Sequence, residues 1–424
     1  MADLLQQAEV DAGTDADRRE RFPAGAGVTF SDLEDAGGEA ALDRLRDAEP
    51  VSWLPALGGW LVTGHAQARE ALSPRAATTV EAEQNLVRAS LGRMMLTSDA
   101  DEHSRMRAPF ERPFRMREAT GLFGAAIADT AAGLTDAIAP AGGCELGADF
   151  AAPFAIAMAG RILGLSLGDA GRIDAFYDAF AGAMSYDGNP EPQRLADAAR
   201  AELDAILHAE LGRCRSTADA SITSQVANDP RAGLTDPEIA AQLRVIMFGA
   251  IETIQGAVMN TMLLLLRNPG ALAAARADRT VLASAVDEAL RMIPPVAFME
   301  RWTRAPLEIG GVAIGAGEFI GVSVIAANRD PAVFADPLRF DVGRGNARHA
   351  LSFSFGEHHC VGAHLARLET VTAVGQLLAA LPGAELVEVD EPSGFAFRRP
   401  QRLRLAWAPA RRARPTPSGR SSST

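Results

Sequence analysis

From residue 65 to residue 295, apolar side chains recur at three- and four-residue spacing. HAQAREAL, the stretch 103–114, FGAAIADTAAGLTDAI, DAGRIDAFYDAFAGAM and RLADAARAELDAILHAELGR each gather them on one helical face. The clearest pattern opens at LTDPE, where Thr235 or Asp236 caps a helix and Pro237 suits its first turn. It runs to about Leu266 and stops at Arg267-Asn268-Pro269-Gly270. A helix of roughly 30 residues is about 45 Å long, enough to cross a domain. Its middle is apolar all round, as in a buried central helix. Alternating apolar positions predict strands near the two ends: WLVTG after Gly59, hairpins within LEIGGVAIGAGEFIGVSVIAAN, and a closing strand in FRRPQRLRLAW. The expected fold is mainly α with small β-sheets.

Residues 1–24 read as a flexible acidic arm and 25–408 as one domain with no linker or internal repeat. Residues 409–424 read as a disordered tail rich in Arg, Pro and Ser. With 48% hydrophobic and 22% charged residues among 424, the chain has the material for a large core. A net charge of −13 argues against a general nucleic-acid binder. All 41 basic residues are Arg, so every permanent cation is a planar fork suited to carboxylates. The longest apolar stretch, 245–266, is interrupted by Glu252, Gln255 and Asn260 and reads as a core helix better than as a membrane span. The start, MADLLQQAEVDAGTDADRRE, lacks a signal-peptide pattern, and a soluble cytoplasmic protein is expected.

Three cysteines exclude a disulfide scaffold. Cys144 and Cys214 have no chemical context and read as structural. Cys360 differs. An irregular segment containing Gly356 leads to it, Gly362 follows, and the helical pattern AHLARLETVTAVGQLLAAL begins there. A cysteine at a helix N-terminus meets N–H groups and a dipole that favour the thiolate. The flanking glycines let the backbone approach something flat and bulky, and His358 is placed to meet an acidic group on it. Alternatively Cys360 is a small buried hydrophobe, or a zinc ligand with His358 and His359. Adjacent ligands point apart, however, and no second cluster has zinc spacing.

The segment Phe353-Ser354-Phe355-Gly356-Glu357-His358-His359-Cys360-Val361-Gly362 resembles the haem-binding loop of the cytochrome P450 superfamily, bacterial soluble type, with Ser354 as the less common option at its position. The resemblance implies a haem b (iron protoporphyrin IX) held between the long central helix and the Cys loop, with Cys360 as the metal ligand and Phe353 and Gly362 against the cofactor. Further motifs follow in the family's order across nearly the whole chain. His103 and Arg107, four apart on one helix face, resemble its haem-propionate donors, as do Arg301 and His358. Glu288, Arg291 and Arg344 resemble its structural Glu-Arg-Arg cluster. Gly249-Ala250-Ile251-Glu252-Thr253 resembles its oxygen-activation motif, with Ala250 where Gly is usual. In that motif Thr253 bonds the Gly249 carbonyl, and with Glu252 it delivers protons to dioxygen.

The function so implied is a monooxygenase that oxidises, most often by hydroxylation, a lipophilic small molecule such as a natural-product intermediate. Epoxidation, oxidative coupling and a haem-binding sensor without turnover remain alternatives. Met95, Leu96, Phe248, Ile251, Val296, Ala297, Phe298 and Phe395 are the expected substrate-pocket residues. The chain carries no flavin or nicotinamide fingerprint and no ferredoxin cysteine spacing. Separate donors, a ferredoxin and a ferredoxin reductase, are therefore expected, docking on the basic stretch HSRMRAPFERPFRMR near Arg348 and Arg367.

Overall fold

The computed structural model describes residues 14–73, 77–184 and 189–408. The expected tail and the first part of the arm lie outside them. The long helix spans Asp236–Arg267, 32 residues. Thr235 caps it: its hydroxyl accepts from the Glu238 N–H while the Glu238 carboxylate accepts from the Thr235 N–H at 2.8 Å. Pro269 does not end helicity as the sequence suggests. It occupies the first turn of a new helix, Pro269–Ala277, where its missing N–H costs nothing. Among the described residues two helices, Met116–Ala141 and Asp236–Arg267, are long and apolar enough to cross a bilayer, but most of the second is buried inside the protein.

The expected strands assemble into a five-stranded sheet in the order Val51–Leu54, Gly59–Val62, Phe319–Ser323, Phe298–Thr303, Thr78–Thr79. Leu307–Ile309 and Val312–Ile314 form a separate hairpin, turning at Gly310 and Gly311 with φ of +56° and +81°, the paired positive φ that a two-residue hairpin turn needs. The closing strand, Leu403–Ala406, lies between Gly143–Glu145 and Glu385–Val389.

The arm reading needs correction from Thr14 onward. Asp15–Arg21 is a helix, and Phe22 is buried. Arg18 lies over the rings of Trp53, at 4.3 Å, and Trp60, at 5.4 Å, and pairs with Glu318. A guanidinium that stacks on indoles contributes packing that polarity along the sequence hides.

Arg279–Met292 carries the cluster that organises the segment before Cys360. Glu288 and Arg291, both fully buried, are joined by two hydrogen bonds of 2.8 Å. Arg344 reaches the same carboxylate at 2.9 Å, as does the Asp341 N–H at 3.1 Å. Glu288→Gln leaves Arg291 buried without its counter-charge. An uncompensated buried charge costs about 3–5 kcal/mol, so this variant is expected to lose that much in urea unfolding or to yield no folded protein; a wild-type midpoint would contradict the assignment.

Candidate active site

Between the long helix and the segment around Cys360 lies a cavity of about 330 Å³, walled mostly by apolar side chains. Every cofactor-binding candidate named above reaches it, and so does Thr253.

On one wall, Cys360 immediately precedes the helix Ala363–Ala380, and its N–H donates to the Phe353 carbonyl at 2.9 Å. Arg367 stacks on Phe353 at 4.3 Å and Arg69 on Phe355 at 4.2 Å, clamping the loop from both sides. Gly356 and Ser354 hold φ of +76° and +63°. Glycine takes this conformation freely; Ser354 adopts it at a cost of about 1–2 kcal/mol. Cys360 is accessible to the cavity, yet protein atoms enclose its surroundings. That burial pushes its thiol up, against the Gly362 N–H and the guanidiniums of Arg107 and Arg367. Cys360 is the residue that would hold a metal cation here, and such a cation would favour its thiolate.

At one end of the cavity stand His103, Arg107, Arg301 and His358. His103 Nδ1 bonds the Met95 carbonyl at 2.7 Å and His358 Nε2 bonds Asp99 Oδ1 at 3.1 Å. The other nitrogen of each ring is buried without a partner among the described residues. Arg301 donates to the Glu300 carbonyl at 2.7 Å, and burial pushes its guanidinium down to about 10, against the charges of Asp99, Glu300 and Glu357. Arg107 donates to the His359 carbonyl at 2.9 Å and pairs with Glu111 at 2.7 Å. Two imidazole nitrogens buried without a partner beside two guanidiniums, with donors in excess of the Asp99 and Glu111 carboxylates they meet, fit an anionic ligand. With an accessible cysteine beside them, they fit haem and its propionates.

The opposite wall is the long helix. Thr253 donates to the Gly249 carbonyl. No neighbouring atom lies within 4 Å of where a Gly249 side chain would begin. Phe248, Gly249, Ala250 and Thr253 face the cavity. Ile251 does not; at 100° per residue it falls about 160° from Thr253 and packs in the main core. Glu252 points sideways to Arg399, at 3.3 Å, which also reaches Asp178 at 3.5 Å. Burial pushes the Glu252 carboxyl up, against Arg399, and its Oε2 has no partner. Met95, Leu96, Val296 and Phe298 line the cavity as expected. Ala297 instead closes a backbone bond to Ala396 at 2.9 Å, and Phe395 packs outward on Phe30 and Phe298. Ala396 and Phe397 replace them on the wall.

One lining group has no counterpart in the expectations. Glu369, on the helix after Cys360, is buried, and burial pushes its carboxyl up to about 8. Unfolding releases this carboxyl to its ordinary 4.5, so the folded form binds the extra proton between the two values. Its contribution is full below about pH 4.5 and is lost as pH rises through 8. Glu369→Gln is expected to flatten the fall in unfolding free energy across that window by a few kcal/mol at most; parallel curves for variant and wild type would contradict this.

The family model described as Cytochrome P450 matches residues 193–382. The chain is 33% identical to the cytochrome P450 monooxygenase PikC of Streptomyces venezuelae over 340 residues, 77% of this chain and 79% of that protein. It is 31% identical to 6-deoxyerythronolide B hydroxylase of Saccharopolyspora erythraea over 371 residues, 82% and 89% of the two chains. Its fold superposes on a myxobacterial cytochrome P450 in complex with myristic acid with a TM-score of 0.81 at 28% identity, covering 90% of this chain and all of the other. An accessible cysteine, buried imidazole and guanidinium donors and a long helix facing them thus occur in a chain that belongs to the cytochrome P450 family.

Proposed function

We propose that this P450 monooxygenase binds haem b through Cys360 and hydroxylates a lipophilic natural-product intermediate in the cytoplasm. The observation that carries this reading is that Cys360 and Thr253 reach one apolar cavity from opposite walls. The relative named for hydroxylating 6-deoxyerythronolide B supports the reaction and substrate class. Phe248 stacks on Tyr177 at 5.7 Å and meets Phe397 edge-on at 5.1 Å, a stiff aromatic wall suited to a lipophilic substrate.

When bound, a haem–thiolate supplies oxygen activation, the chemistry that side chains lack. His103, Arg107, Arg301 and His358 hold its carboxylates; Phe353, Gly249, Ala250 and Gly362 shape its two faces. Because Thr253 donates to Gly249, its oxygen keeps lone pairs to accept from a water, and it positions a proton. Glu252, beside Thr253 on the same helix and paired with Arg399, is the acid we assign to supplying that proton. Cys360→Ala is expected to abolish the haem–thiolate absorption of the reduced carbon monoxide adduct. Retention of pigment and spectrum by this variant defeats the reading.

Electrons come from separate donors, which we take to be a ferredoxin and its reductase. Arg112, Arg115 and Arg117 are exposed, and Thr120, on the helix Met116–Ile138 with Arg117, contacts His364 beside the Cys loop at 3.3 Å. Arg105 of the same basic stretch is not available, because Glu102 and Glu238 hold it. Arg348 is exposed beside them but shares Asp287 with Arg367. The double variant Arg112→Glu/Arg115→Glu is expected to slow reduction by an acidic ferredoxin about tenfold at low salt, the difference shrinking as salt rises. Unchanged stopped-flow reduction at low salt would exclude this face.

A further inference from the structure

Asp99 stands at the N-cap of the helix Ala100–Phe114, the position where an Asp side chain ordinarily accepts from the first N–H groups. Here it makes no such bond. The next residue, Ala100, sits at φ +51°, a strained value for a residue with a side chain. The carboxylate is turned elsewhere, and its two oxygens do different work. Oδ2 accepts from the Thr79 hydroxyl at 2.5 Å, the Val80 N–H at 3.2 Å and the Arg304 guanidinium at 2.6 Å. Oδ1 meets His358 Nε2 at 3.1 Å. Three donors on one oxygen lock the carboxylate, so the other oxygen is fixed toward the imidazole.

The result matches His103. That ring is held through Nδ1 by a backbone carbonyl and keeps Nε2 free; His358 is held through Nε2 by Asp99 and keeps Nδ1 free. The rings pack edge to face at 4.5 Å. Asp99, Glu357 and His358 also lie close enough together to suggest a cation site. Asp99 already faces a guanidinium, an N–H, a hydroxyl and an imidazole, which leaves that carboxylate no place for a metal ion.

We propose that Asp99 is a positioning residue for the haem, fixing the His358 ring so that Nδ1 is the atom left to bond a haem carboxylate. The proposal rests on the haem reading above. Its test uses the full-length holoprotein and a double-mutant cycle of Asp99→Ala and His358→Ala, read as the rate of haem transfer to excess apomyoglobin and as the propionate-bending bands in resonance Raman spectra. Outer-shell partners of a ligand change affinity about 10- to 100-fold, so each single variant is expected to speed haem loss at least tenfold and to shift the propionate bands. The double variant is expected to be no faster than His358→Ala alone. Asp99→Asn, which keeps an acceptor oxygen, is expected to recover part of the loss. Unchanged haem loss in Asp99→Ala, or effects that multiply in the double variant, would show that Asp99 supports the strand and not the imidazole, and the proposal would fall. If Asp99→Ala gives no soluble protein, Asp99→Asn enters the same cycle with the same two outcomes. A colourless wild type sinks the haem reading itself; a pigmented wild type with multiplying variants sinks only the role of Asp99.

Discussion

A single buried carboxylate governs the geometry beneath the cavity. Glu288 is shared by Arg291, Arg344 and the Asp341 N–H, with no exposure to solvent that could soften the loss of any partner. From it the restraint passes along the chain. Arg291 donates to the Asn328 carbonyl at 2.9 Å, and the Asn328 amide accepts from the Leu351 N–H at 2.7 Å and donates to Ser352 at 3.0 Å. Ser352 donates in turn to the Leu290 carbonyl at 2.8 Å, returning to the helix on which the network began. The residue after Ser352 is Phe353, whose carbonyl holds Cys360. A segment without regular structure is thereby as firmly placed as a helix. Such a network is expensive to desolvate and intolerant of partial removal, which suits a job of position more than one of stability.

The all-arginine composition fits this construction. Arg398 donates to the carbonyls of Glu34, Asp35 and Gly394 while pairing with Glu39, so one side chain joins the two ends of the molecule. Over the cavity, the short helix Leu86–Leu91 ends in carbonyls held by Arg200, at 3.0 Å to Ala89, and Arg244, at 2.9 Å to Leu91. A lysine ammonium, a single point on a flexible stem, cannot reproduce forked contacts of this kind.

How far the sequence could be read depends on the range of the interaction involved. The cap at Thr235, the Gly310–Gly311 turn and the loop to Cys360 are local, so their residues announce them. Thr253 and Gly249 are one helical turn apart and equally visible. What stayed hidden was set by distant partners. Arg399 comes to Glu252 from 147 residues away, and His358 finds Asp99 at a separation of 259. Ile251 and Phe395 were misread for a simpler reason: nearness in sequence to a cavity-lining residue does not fix which way a side chain faces. Arg18 was misread because a charged residue can bury its stem and its flat face against tryptophan.

The pairing of Glu252 with Arg399 also orders events in time. During synthesis the acid is made long before its counter-charge, and the intervening chain includes the Cys360 loop and the helix that follows it. A nascent protein can therefore possess both walls of the cavity while Glu252 still lacks its arginine, so this acidic corner is completed after the cavity it adjoins.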